Sequence, residues 1–198
     1  PGPMEFQSWL SKFTQMGAQS VVTEVSSHGL DQFRIWGTKL SAAIFTNLTQ
    51  DHLDYHNTME KYYEAKKRLF FDYDCGVRIV NIDDVYGKKL FKECKKSGLN
   101  VFSFGTTEDA DYCYKNLNYS FSGITGEIKT PQGSIKILSP LLGNFNGANI
   151  TGCVATALEL GISANLVTQG IARCKGVPGR LESVVSTNHE FQVLVDYA

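Results

Sequence analysis

The chain has 198 residues, 42% of them hydrophobic and 12% aromatic, which is enough for one sizeable domain with a buried core. Nineteen basic against twenty acidic residues give a net charge of -1, so no overall basic field draws in nucleic acid or an anionic membrane surface, and any charged ligand must be bound locally. No run approaches the length of a membrane span, and Pro1-Gly2-Pro3-Met4-Glu5-Phe6 lacks the basic start and apolar stretch of a secretion signal, so a cytoplasmic protein without membrane insertion is expected.

Between Glu5 and Met16 the apolar residues Phe6, Trp9, Leu10, Phe13 and Met16 recur at three- and four-residue steps, which predicts an amphipathic helix closed by Gly17. The β-branched run Ser20–Val25 predicts a buried strand with Glu24 near its end, followed by a Ser26-Ser27-His28-Gly29 loop. Ala42–Asn47 predicts a second strand and Thr58–Phe71 a helix. Val77–Ile82 and Asn100–Phe104 predict two more strands with a helix over Gly87–Ser97 between them. This alternation implies an α/β fold with a mostly parallel sheet flanked by helices, whose ligands collect beyond the carboxyl ends of the strands, where Glu24 and Asn47 are expected.

From Tyr112 to Leu138 the turn signals Gly123, Gly126 and Pro131-Gln132-Gly133 predict a small antiparallel part made of hairpins. Helices are expected over Asn146–Leu160 and Ala164–Cys174, and a last strand over Phe191–Asp196, with a domain boundary near Ser183. The five cysteines, Cys75, Cys94, Cys113, Cys153 and Cys174, form no C-x-x-C pair, and reduced thiols are expected.

Lys66 lies on the apolar stripe of its helix, four residues after Tyr62 and three before Leu69, while Glu64 is spaced to pair with Arg68. An ammonium there must snorkel to water, meet an acid, lose its proton or be chemically altered. Glu24, Asp51, His52 and Asp54 are donors suited to magnesium, although a strand-end acid also serves loop amides and the acidic pair also caps a helix. Asn144, Asn146 and Asn149 precede an Ala-rich helix, where one caps it and two could read an adenine edge. The turn Gly176–Arg180 presents an arginine suited either to a surface ion pair or to a phosphate.

Thr23–Leu30, Phe45–Leu48 running into Asp51-His52-Leu53-Asp54-Tyr55-His56, Glu64-Ala65-Lys66, Gly143–Asn149, Gly179–Glu182 and Val195–Ala198, taken in order, resemble the Mur ligases. Within that family they are similar to the type that adds the third amino acid, meso-diaminopimelate or L-lysine, to UDP-N-acetylmuramoyl-L-alanyl-D-glutamate in peptidoglycan synthesis. The resemblance implies ATP-dependent phosphorylation of the substrate carboxylate and attack of an amine on the acyl phosphate. It implies Glu24, His52 and a Lys66 carbamylated by carbon dioxide as catalytic residues and ligands of Mg2+. It further implies Ser26, Gln32 and Arg34 on the UDP-muramoyl-dipeptide, with Asn47, Asn146, Asn149, Arg180 and Asp196 on ATP, in a monomer.

The family's phosphate-binding loop does not occur in these residues. The resemblance therefore implies a central ATP-binding domain over 1–183, lacking that loop, and the first strand of a C-terminal ligase domain over 184–198. Such a piece is expected not to ligate by itself. Competing readings are a folylpolyglutamate synthase or cyanophycin synthetase-like ligase, and a non-catalytic nucleotide-binding module.

Overall fold

Burial pattern and backbone pairing define the architecture of the computed structural model, which describes residues 2–50, 53–184 and 193–197, with Leu53 by its backbone alone. Helix α1 (Pro3–Gln15) starts with proline in its first turn, where no backbone donor is lost, and stops before Gly17 at φ 85°. Phe6 is buried on it, but Trp9, Phe13 and Met16 are exposed, so much of its apolar stripe is left uncovered.

The predicted strand over Ser20–Val25 does not form. That segment is irregular, Val22 is 99% exposed, and Glu24 is exposed rather than at a buried strand end. A β-branched run becomes a strand only where a neighbour completes its backbone hydrogen bonds, and among the described residues no strand pairs with this one. The predicted loop after it is instead helix α2 (Ser27–Asp31), because the Ser26 side chain caps it by accepting the Gly29 amide at 3.1 Å.

The main sheet contains β1 (Leu40–Phe45), β2 (Cys75–Asn81), β3 (Val101–Gly105), β4 (Tyr112–Ser120), β5 (Gly123–Thr130) and β6 (Gly133–Ser139), in that spatial order. Pairs β1 to β4 are parallel and pairs β4 to β6 antiparallel, so the expected hairpins continue the parallel sheet rather than standing apart. Strand β2 is buried at every residue except Gly76, as a central parallel strand covered on both faces must be.

A four-residue turn of helix, α3 (Leu53–His56), precedes α4 (Met59–Phe71), which Thr58 caps through the Lys61 amide at 3.2 Å. Helix α4 and α5 (Val85–Lys96) cover one face: Tyr62, Tyr63, Phe70, Leu90 and Cys94 pack with Phe45, Val80 and Val101. The opposite face is covered by α6 (Phe145–Glu159) and α7 (Ala164–Arg173), where Ile150, Val154, Ala155 and Val167 pack with Ile79, Phe104 and Ile128. A third cluster joins Phe6, Leu30, Ile35 and Tyr73, tying α1 and α2 to the end of α4. A short pair, β7 (Glu182–Ser183) and β8 (Leu194–Val195), runs antiparallel; residues 191 and 192 of the expected last strand lie outside the described residues.

Candidate functional site

The carboxyl ends of the parallel strands open into loops that three polar residues hold in place. Asn81, the last residue of β2, donates through Nδ2 to the Thr46 carbonyl at 2.8 Å and accepts the Asp83 amide at 3.0 Å. Asp84 caps α5 by accepting the Gly87 amide at 2.8 Å, and its other oxygen accepts the Leu48 amide at 3.0 Å. The chain leaving β1 is thus held on both sides of Asn47, which is exposed beyond the strand end, as expected. Asp83 accepts the amide and hydroxyl of Thr106 and, at 2.8 Å, the Tyr114 hydroxyl, fixing the loop after β3. Sequence reasoning missed Asp84 because it began this helix at Gly87; an aspartate three residues earlier was the available signal.

Around α2, the buried Gly29 lies between two predicted substrate residues. A β-carbon built on Gly29 would come within 3.2 Å of Ser26 Oγ and 3.3 Å of Arg34 Nη1, so both side chains border this glycine. The Arg34 Nε is buried and has no hydrogen-bond partner among the described residues. Gln32 is exposed at the end of the same helix. The structure brings Ser26 and Arg34 together with Gln32 beside them in the chain.

Lys66 is half-buried on α4, with Nζ 5.3 Å from the centre of the Tyr62 ring. The expected Glu64–Arg68 pair is replaced. Arg68 meets Asp72 at 3.1 Å and Asp31 at 3.5 Å, while Glu64 lies 3.6 Å from Lys67, which also meets Glu93 at 2.8 Å. Two nearer carboxylates, one supplied by α2, occupy the guanidinium. The hydrogen bond to Glu93 raises the pKa of Lys67 against the opposing effect of its burial.

Beside Lys66 stands a group of rings that sequence reasoning left unassigned. His56 is buried, its Nε2 lies 2.8 Å from Ser27 Oγ, and its ring stacks on Tyr62 at 4.9 Å and 10°. His28 lies 3.9 Å from the Tyr55 ring, and the Tyr55 hydroxyl donates to Asp31 at 2.7 Å. The string Asp54-Tyr55-His56 was the only sequence signal.

Asp51 and His52 lie outside the described residues. Among the described residues no three histidine, cysteine, aspartate or glutamate side chains are grouped to hold a metal ion, and Glu24 is exposed. The described part therefore does not by itself assemble the expected magnesium ligands.

At the start of α6 the expected cap is absent: Asn144 has helical backbone angles and its side chain makes no cap bond. The Asn146 side chain instead donates through Nδ2 to the Leu142 carbonyl at 2.7 Å, and its Oδ1 accepts from the Asn149 side-chain Nδ2 at 3.0 Å, so these two predicted adenine-reading residues form one unit. Further on, pairing of β7 with β8 sets Arg180 beside Asp196: Arg180 Nη1 donates to the Tyr197 carbonyl, and Asp196 accepts the Leu181 amide at 3.4 Å. Arg180 and Asp196 are both exposed. The five cysteines carry free thiols, and no helix among the described residues is long and apolar enough to cross a membrane.

A largely parallel sheet covered by helices on both faces, with polar loops gathered beyond its strand ends, defines an α/β domain of the class that places ligands at the carboxyl edge of its sheet. Residues 1–157 match the model of the Mur ligase middle domain, and the chain belongs to that family. A UDP-N-acetylmuramoyl-L-alanyl-D-glutamate–2,6-diaminopimelate ligase of Synechococcus elongatus is 43% identical over 199 residues, covering all of this chain and 40% of the relative. A solved structure of a ligase of the same name superposes with a TM-score of 0.90 at 33% identity, covering all of this chain and 41% of that one. An FPGS–AMPPCP complex, 18% identical with a TM-score of 0.75 over 93% of this chain and 45% of its own, shares the fold alone. The chain spans about 40% of the length of the curated relatives it matches.

Proposed function

We propose that the intact protein carrying this chain is an ATP-dependent ligase of peptidoglycan synthesis. It adds the third amino acid to UDP-N-acetylmuramoyl-L-alanyl-D-glutamate through an acyl phosphate and acts in the cytoplasm as a monomer. The observation that carries this reading is the Ser26–Gly29–Arg34 cradle: a guanidinium with no carboxylate partner among the described residues beside a buried glycine, in a chain matched end to end by relatives of that name. Those relatives favour diaminopimelate over lysine as the incoming amine.

In this reading Arg34 and Ser26 orient the anionic muramoyl peptide, with Gln32 at the rim. Asn47, Asn146 and Asn149 hold the nucleoside, Arg180 steadies the ATP phosphates and Asp196 the ribose. Glu24, His52 and a carbamylated Lys66 hold magnesium, which when bound screens phosphate charge. Residues 1–183 form the ATP-binding unit and 184–198 begin the next domain.

The test is incubation of the intact protein with ATP, UDP-muramoyl-dipeptide and either amino acid. ADP, phosphate and UDP-muramoyl-tripeptide should appear in equal amounts. Extension of a folate with glutamate instead, or ATP binding without any product, would replace this reading with one of its rivals.

A further inference from the structure

Helix α2 is too short to hold its own position, since five residues form barely more than one turn of isolated helix. Yet it carries Gly29 and is flanked by Ser26 and Arg34, which border that glycine, so something outside it must fix where the cradle faces. Besides the buried cluster of Leu30 with Tyr73 and Leu69, four polar or ring contacts tie it to the α3–α4 unit. Asp31 accepts the Tyr55 hydroxyl at 2.7 Å and lies 3.5 Å from the half-buried Arg68; Asp31 and Tyr55 are exposed, and such contacts hold weakly. His28 rests on Tyr55 at 3.9 Å. The fourth is a buried polar contact: Ser27 Oγ, on a residue 2% exposed, meets His56 Nε2, on a residue 6% exposed, at 2.8 Å.

The far side of the His56 ring continues the connection. It stacks on Tyr62 at 4.9 Å with the planes 10° apart, and the Tyr62 ring in turn faces Lys66 Nζ at 5.3 Å. Ser27, His56, Tyr62 and Lys66 thus form one contiguous path from the α2 cradle to α4. A buried polar pair is rigid because breaking it strands both groups away from water.

We propose that His56 is a positioning residue: by holding Ser27 on one side and stacking on Tyr62 on the other, it sets the Ser26–Arg34 cradle in register with Lys66. This rests on the ligase reading, in which the cradle holds the muramoyl peptide and Lys66 serves the reacting carboxylate. His56 touches no substrate in this account; it acts through Ser27 and Tyr62.

The test uses the intact protein with His56→Phe, which keeps a ring on Tyr62 but cannot bond Ser27, with His56→Gln, whose amide can reach Ser27, and with Ser27→Ala. Loss of one buried hydrogen bond should raise KM for the UDP-muramoyl-dipeptide roughly tenfold in His56→Phe, leave KM for ATP within about twofold of wild type, and recover in His56→Gln. His56→Phe combined with Ser27→Ala should be no worse than either alone, since both remove the same bond. Equal rises in both KM values, or no change in an active enzyme, would overturn the proposal.

Amide hydrogen exchange on the same intact proteins gives a readout that does not need turnover. The Gly29 and Leu30 amides should exchange faster in His56→Phe while those of α5 and α6 do not; unchanged exchange at Gly29 also overturns the proposal. If wild type makes no tripeptide, the ligase reading fails on its own, and the exchange comparison still decides whether His56 holds α2.

Discussion

Asp84 and Leu48 are 36 positions apart in sequence, yet the Leu48 amide donates to Asp84 Oδ2 at 3.0 Å while the other oxygen of that carboxylate caps α5 through Gly87. One side chain therefore starts a helix and pins the loop leaving β1. Asp84→Ala should lose about 1 kcal/mol for the helix cap and about 1–3 kcal/mol for the amide at buried Leu48 left without its charged acceptor. Asp84→Asn keeps one acceptor oxygen and should fall between the two. Urea unfolding measures this, and an alanine variant as stable as wild type would show that the bridge contributes nothing.

Gly87 shows why this corner admits no larger residue. A β-carbon there would run into the Asn81 carbonyl and lie 3.1 Å from the Phe45 ring, so α5 begins in direct backbone contact with the end of β2. Gly87→Ala is helix-favouring by propensity, yet here it should destabilise by about 1–3 kcal/mol through overpacking. A thermal midpoint at or above that of wild type would mean the corner yields more easily than its geometry indicates.

These two residues also mark what the sequence makes legible. Strands β1 to β3 and helices α4 to α7 follow from apolar period and turn residues, because their burial is decided by neighbours close in the chain pattern. The Ser20–Val25 run carries the same strand signal but has no pairing strand among the described residues, and pairing is not a local property. In α2 the pattern Ser26-Ser27-His28-Gly29 has loop-forming composition, and only the Ser26 bond to the Gly29 amide turns it into a helix start. Site residues could be named one at a time through family likeness, whereas the contacts of Asp84, Ser27 and His56 depend on partners tens of residues away and could not be read from the sequence.

Cys94 gives a pH dependence with a definite sign. It is fully buried on α5, and burial pushes its thiol up from 9.0 to about 11. In the unfolded chain the thiol ionises first, so this group contributes full stability below about pH 9 and loses it as pH rises towards 11, at up to about 1.4 kcal/mol per pH unit. Burial also raises Tyr63 and Tyr112, which adds to the loss at still higher pH. Thermal midpoints taken between pH 8 and 10.5 should fall, and Cys94→Ala, though less stable throughout, should fall less steeply. Parallel curves would show that Cys94 keeps an ordinary thiol.

Arg180 and Asp196 stand together because β7 pairs with β8, so they should act as one ATP-binding unit. In the intact protein Arg180→Ala should raise KM for ATP roughly tenfold or more, as loss of a charge-assisted contact does, with KM for the muramoyl peptide little changed. Arg180→Lys should restore only part of it, since a point charge does not reproduce the planar fork that also reaches the Tyr197 carbonyl. If both KM values move together, the hairpin supports the fold rather than the nucleotide.

The Tyr62 ring sharpens the expectation for Lys66. A ring face attracts an ammonium, so the contact at 5.3 Å favours the unmodified amine, whereas a carbamate is an anion that the same face repels. Carbamylation of Lys66 therefore requires a compensating cation, and the modification should depend on magnesium. With 13C-labelled bicarbonate the intact protein should show a carbamate carbon signal that strengthens on adding Mg2+ and vanishes in Lys66→Arg, whose guanidinium keeps the ring contact but does not take up carbon dioxide. That variant should unfold within about 0.5 kcal/mol of wild type while losing on the order of a hundredfold or more in ligation rate. An active wild-type protein with no label on Lys66, at any magnesium concentration, would remove the carbamate from the site and leave Lys66 as a cation over Tyr62.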